Sequence, residues 1–149
     1  MASAENILIS VHPRHVDNMV SGRKTVELRR RPLKLASGCR VWIYCTLPRG
    51  SVEAVGTVAE VVAACPSAIW RDYGKQCGVT KAEFDAYYDG VSTAYVIVFS
   101  SIKKLPSTFA LGEIRRHLAS FQPPQFFKRL LAGGPELNLF TSALSSLAA

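Results

Sequence analysis

One run, Gly22-Arg23-Lys24-Thr25-Val26-Glu27-Leu28-Arg29-Arg30-Arg31, gathers the side chains with the most chemical potential in the chain. Glycine at 22 lets the backbone leave a helix with positive φ. Arg23 and Lys24 set cations at that turn. Thr25, Glu27, Arg29 and Arg31 then alternate with Val26 and Leu28, the period-2 pattern of a strand with one wet face. Arg29, Arg30, Arg31 and, further on, Lys34 extend a positive edge, so the run predicts a cation-lined groove holding one carboxylate. Two readings of that carboxylate stand side by side. In the first, Glu27 balances Lys24 and Arg29, as structural ion pairs commonly do. In the second, Glu27 tunes a lysine or holds a water. A lysine partly removed from water among other cations gives up its proton more readily and acts as base or nucleophile. Neighbouring arginines would grip phosphate oxygens bidentately.

The remaining candidates are weaker. His12 and His15 flank a helix start with Pro13 between them, and without further ligands they read as surface histidines. Cys39, Cys45, Cys65 and Cys77 form no C-x-x-C pair and read as small buried hydrophobes. No metal site and no cofactor is expected. Tyr44, with Trp42 on the same strand, is a candidate platform for a base, although alternation sends at least one of the two into the core. Trp70, Tyr73, Phe84, Tyr87 and Tyr88 read as helix-packing residues, with at most one tyrosine reaching the cleft. Neither a phosphate loop nor a Ser/His/Asp arrangement occurs.

The formal net charge of +7 is unevenly placed over the 149 residues. Residues 1–50 hold nine Lys/Arg against three Asp/Glu, whereas the remainder holds nine against eight. Such asymmetry points to a face that attracts polyanions, nucleic acid first. No apolar run is long enough to span a bilayer. The N-terminal residues lack the basic-then-apolar pattern of an export signal. With the cysteine usage, these features lead us to expect a reducing compartment, the cytoplasm, and no membrane partner.

The elements that must hold the run in place follow from the same sequence. Ile7 to Val11 is a short apolar strand halted by Pro13, which opens a helix carrying Val16, Met19 and Val20; Gly22 closes it. A strand over Thr25 to Arg31 ends at Pro32. Arg40 to Leu47 is a strong central strand, and Ala54 to Val62 another, with Gly56 marking a bulge or close approach. Helices lie between Pro66 and Tyr88, separated at Gly78, the second started by a Thr80/Glu83 capping box. Ala94 to Ile102 is a further strand. Beyond Pro106 we expect a helix around Leu111 to Leu118. An irregular aromatic segment over Gln122 to Phe127 then leads into a short helix ending at Gly133-Gly134. A final amphipathic helix carries Leu137, Phe140, Leu144 and Leu147. The reading is an α+β fold, a small mixed β-barrel with flanking helices, organised as a core over residues 1–104 and a helical extension over 105–149. That extension docks on the core or on a second copy, so a homodimer through the last helix is one expectation.

Gly22, Lys24, Glu27 and Arg29, preceded by an apolar strand ending near Pro13, resemble the G-x-K-x-x-E-x-R signature of the ASCH domain, a family of the PUA-like superfamily of small β-barrel RNA-binding modules. The resemblance covers about residues 6 to 104, with Trp70, Tyr73, Thr80, Lys81, Glu83, Phe84, Tyr88 and Gly90 in the expected order. It implies a cleft at the motif that binds RNA, nucleotides or a modified nucleoside. Some ASCH proteins cleave RNA, and others remove an acyl group from a modified cytidine. The acyl-removing group uses the motif lysine, matched by Lys24, and a threonine two positions before the motif arginine. Glu27 occupies that threonine position here, and Cys77 or a neighbour stands where that group has a glutamate.

Three functions follow as expectations. The first is an RNA- or nucleotide-binding domain whose ligand residues are Gly22, Arg23, Lys24, Thr25, Glu27, Arg29, Arg30, Arg31 and Tyr44. The second is a metal-independent hydrolase using Lys24 and Glu27, a ribonuclease ahead of an amidohydrolase. The third is a regulatory domain that binds a partner through its last helix.

Overall fold

In the computed structural model, which describes residues 5–145, six strands form one mixed sheet in the order β2-β5-β4-β3-β1-β6. β1 (Asn6–Val11) leads through Pro13, at the first helical position, into α1 (Pro13–Val20). β2 (Val26–Arg29) lies on one edge, antiparallel to β5 (Ala94–Ala110). β3 (Arg40–Cys45) runs parallel to β1 and antiparallel to β4 (Ser51–Ala64). The sheet curls into a half-barrel whose two edges, β2 and β6 (Phe127–Leu130), do not meet.

Curvature comes from the β4–β5 ribbon. Its register shifts between Val52 and Ala54, between Thr57 and Val58, and between Val58 and Glu60. Such bulges bend a strand and increase its twist. Gly56 sits in this stretch, and a Cβ there would come within 2.7 Å of the Phe99 ring, so the bend depends on a residue without a side chain.

Alternation along the central strands sends side chains into two different cores, because both faces of the sheet are covered. Ile7, Ile9 and Val11 of β1, with Val41, Ile43 and Cys45 of β3, meet Val16 and Met19 of α1 on one face. Leu8, Trp42 and Tyr44 point to the opposite face, against Phe109, Ile114 of α4 (Leu111–His117), and Leu137 and Phe140 of α5 (Pro135–Ser145). A third cluster joins Val26 and Leu28 of β2 to Ile69 of α2 (Pro66–Tyr73) and to Phe84 of α3 (Lys81–Tyr87). The Thr80/Glu83 capping box predicted from the sequence starts α3.

Two expectations change at this level. The strand predicted to stop at Ile102 continues to Ala110, so the boundary drawn at residue 104 falls inside β5. In place of a short helix before Gly133, residues Phe127–Leu130 pair with β1 and extend the same sheet. α5 buries Leu137 and Phe140 within this chain's own core, and Leu147 lies outside the described residues. Among the described residues, no helix is long and apolar enough to cross a membrane.

Candidate functional site

The turn after α1 places the motif lysine under a loop. Gly22 has φ +86, and the chain then doubles back so that the Lys24 N–H donates to the Asn18 carbonyl at 2.9 Å. Thr25 fastens the start of β2 through its backbone alone: its N–H donates to Gln76 at 3.0 Å, and its carbonyl accepts from Phe99 at 3.1 Å. Gly78 lies over the Lys24 stem. A Cβ at Gly78 would meet Lys24 carbons at 3.2–3.4 Å, and its φ of +71 already favours glycine. The alkyl chain of Lys24 therefore runs beneath a backbone that carries no side chain at this point.

Lys24 ends up 1% exposed. Its Nζ donates to the Cys77 carbonyl at 2.5 Å and lies 3.7 Å from Glu27 Oε1. Glu27 Oε2 accepts from Arg29 Nη2 at 2.9 Å, and Arg29 Nη1 donates to the Phe126 carbonyl at 3.3 Å. The three motif side chains thus form one chain of contacts strung between two distant loops. Burial lowers the pKa of Lys24 below the ordinary 10.5, and the Glu27 charge offsets only part of that effect.

A cavity of about 360 Å³ opens on these three side chains. Its other polar walls are Ser10 of β1, His12, Arg14 and His15 from the start of α1, and Glu83 and Tyr87 from α3. Arg14 and Glu83 bridge the two helices at 2.8 Å. The Thr80 backbone N–H, followed by Arg14, pulls the Glu83 carboxyl down to about 2. Burial, then the Lys24 charge, lowers the pKa of His15, whose Nδ1 has no hydrogen-bond partner among the described residues.

Beside it lies a larger cleft of about 720 Å³, walled by Arg29 to Leu33, Tyr87, Val91 and Gln125 to Phe127. Arg29 and Tyr87 line both spaces, so the two clefts meet at these residues. The Arg31 guanidinium sits 3.9 Å from the centre of the Phe126 ring. Arg30 donates to the Asp89 carbonyl at 3.3 Å, and the Tyr87 hydroxyl donates to the Leu28 carbonyl at 3.1 Å.

Of the residues singled out from the sequence, Lys24, Glu27 and Arg29 converge on the smaller cavity, and Arg29, Arg30 and Arg31 line the larger one. Gly22 and Thr25 shape the turn, and Arg23 is exposed outside both clefts. Two expectations need correction. Glu27 is 7% exposed rather than on a wet face, because Lys24 at 3.7 Å and Arg29 at 2.9 Å close over its carboxylate within the smaller cavity. Tyr44 is 3% exposed within the α4/α5 core and lines neither cleft. His12 and His15, read from the sequence as surface histidines, and Tyr87, read as a packing residue, join Arg14, Glu83 and Phe126 in lining the clefts from three separate parts of the chain. Glu83 alone carried a local signal, its capping box. Among the described residues, no group of three or more His, Cys, Asp or Glu side chains is placed to hold a metal ion.

Residues 6–117 match the family described as "Domain of unknown function (DUF365)". An ASCH domain-containing ribonuclease of Zymomonas mobilis is 30% identical over 118 residues, covering 79% of each chain. The crystal structure of ASCH from Zymomonas mobilis superimposes with a TM-score of 0.84 at 28% identity, over 91% of this chain and 94% of that one. A 111-residue stretch is 28% identical to the large ribosomal subunit protein uL22 of Ureaplasma parvum, covering 74% of this chain and 36% of that protein.

Proposed function

Since the chain belongs to the ASCH domain family, we propose that it is an RNA-binding domain and that RNA phosphates are held where Lys24, Glu27 and Arg29 converge. The observation that carries this reading is the position of Arg29. It is fixed by Glu27 at 2.9 Å and lines both clefts. A guanidinium already oriented by a carboxylate offers its remaining N–H groups to a phosphate at little entropic cost. The relatives support the same ligand class, one being named a ribonuclease and another a ribosomal subunit protein. The four cysteines, all free thiols, fit a reducing compartment such as the cytoplasm.

Fluorescence anisotropy with a labelled oligouridylate, titrated over salt concentration, tests the proposal. Affinity should fall with a log–log slope of about −0.7 per phosphate contacted. Arg29→Ala should weaken binding about tenfold and remove about one contact from that slope. RNA binding that is absent, or indifferent to salt, overturns the reading.

Catalysis is a second reading, favoured by one observation. A lysine with a lowered pKa faces a cavity next to a carboxylate and a histidine. In that reading the neutral Lys24 amine accepts the proton of the hydroxyl that attacks phosphorus as the ester P–O bond breaks, and the leaving oxygen takes a proton from solvent. Glu27 orients the amine, and Arg29 meets the charge growing on the phosphoryl oxygens. Cleavage of RNA in the presence of chelator, reduced at least about 100-fold by Lys24→Met, is the expected result. Cleavage unchanged by that substitution removes Lys24 from the chemistry.

A further inference from the structure

We infer that the larger cleft is a subsite for a nucleotide flanking the one at the motif, its base stacked on Phe126 and its phosphate held by Arg30 and Arg31. This rests on the RNA-binding reading of the motif cleft and extends it to a separate surface.

Charge is the first argument. Three arginines line this cleft, and none of its lining residues is Asp or Glu. Arg29 is matched by Glu27, but Arg30 is tied only to a backbone carbonyl, and Arg31 meets no carboxylate within salt-bridge distance among the described residues. Two cations thus face a cavity with no internal counter-charge, and such an imbalance favours an anion entering from solvent.

The second argument is the aromatic surface. Phe126 is 48% exposed, an unusual degree for a phenylalanine, and Arg31 lies 3.9 Å from its ring centre. A ring already bearing a planar cation, and still half open, is a ready platform for a second planar group. Single-stranded nucleic acids are held by this combination of arginine and exposed aromatic. The cleft's volume, about 720 Å³, lies within the usual range of roughly 300–1,000 Å³ for small-molecule sites, ample for one nucleotide.

Continuity is the third. Arg29 and Tyr87 line both clefts, so one phosphate at Arg29 can belong to a strand occupying both. The Phe126 carbonyl anchors Arg29 at 3.3 Å, which ties the position of the stacking residue to the motif itself.

The test compares a fluorescein-labelled octauridylate with uridine monophosphate, a probe too short to occupy both clefts, on the full chain. Phe126→Ala and Arg31→Ala should each weaken octauridylate about tenfold and leave the thermal unfolding midpoint in place, whereas Arg29→Ala should weaken both probes. Phe126→Trp should restore octauridylate binding. Octauridylate affinity unchanged in both alanine variants overturns the subsite while leaving the motif reading intact. Wild-type protein that binds neither probe overturns the motif reading and the subsite with it.

Discussion

Glu27 and Glu53 are both 7% exposed and both lie beside cations, yet the two surroundings have opposite electrostatic outcomes. Glu53 accepts from Arg49 through both oxygens and from the Ser51 hydroxyl, and Arg49 also donates to Asp17 at 2.7 Å. Burial there pushes the Glu53 pKa up, but the hydrogen bonds from Arg49 and Ser51 win and hold it below its ordinary value. Those same bonds raise the pKa of Arg49. Glu27 holds Arg29 at 2.9 Å, but its second cation is a lysine whose burial outweighs the carboxylate, so the lysine's proton is held less tightly. Arg49 and Glu53 line neither cleft, whereas Lys24 and Glu27 face the smaller cavity. An ion pair whose two members are each held by further hydrogen bonds fastens a hairpin to a helix. One that leaves a cation short of partners and facing a cavity is poised to bind or react.

The contrast can be broken most directly at Glu27. Glu27→Ala leaves a nearly inaccessible Lys24 without its counter-charge, so a loss of about 3–5 kcal/mol is expected in urea unfolding. A loss below about 1 kcal/mol would mean that Lys24 is already neutral in the fold, and the distinction between the two glutamates would have to be redrawn. Glu53→Ala should cost less, about 1–2 kcal/mol, because the Arg49 side chain is 37% exposed and keeps Asp17. RNA affinity should stay at the wild-type level in Glu53→Ala and fall in Glu27→Ala, which separates fastening from function.

The smallest effect is a pH dependence. The folded pKa of His15 lies below 6.5, so between that value and 6.5 the unfolded chain binds more protons than the folded one. Stability should therefore fall as pH drops from 6.5 through the folded value, with no contribution from this residue at higher pH. His15→Gln should flatten that part of the profile in melts taken across the window. A profile identical to wild type would show that His15 is not the group responsible.

What could be read from the sequence was local. Pro13 and Gly22 bracket α1, and the Thr80/Glu83 pair starts α3, because caps and turns are decided by a few adjacent residues. The convergence of Lys24, Glu27 and Arg29 could also be read, since positions 24 to 29 share one turn and one strand. Tyr44 was misplaced because alternation tells which residues share a face, not whether a helix covers it; α4 and α5 arrive from residues 111–145 to do so. Arg14–Glu83 and Arg29–Phe126 connect positions 69 and 97 residues apart, and no spacing rule reaches that far. The four-residue strand β6 follows a Pro-Pro pair, and it becomes a strand only because β1 offers it an unpaired edge.

The motif strand is also the margin of its sheet, and this bears on how the molecule behaves in a crowded solution. Both outermost strands are four residues long, reading Val-Glu-Leu-Arg and Phe-Lys-Arg-Leu. Unpaired margins invite other chains to add on, and brevity with charge discourages them. Tyr87 already occupies the Leu28 carbonyl, and three consecutive arginines follow at the strand's end. The arginines proposed to hold RNA phosphates therefore also guard the strand edge against a second copy of the chain. Neutralising them would convert a ligand-binding defect into a tendency to self-associate.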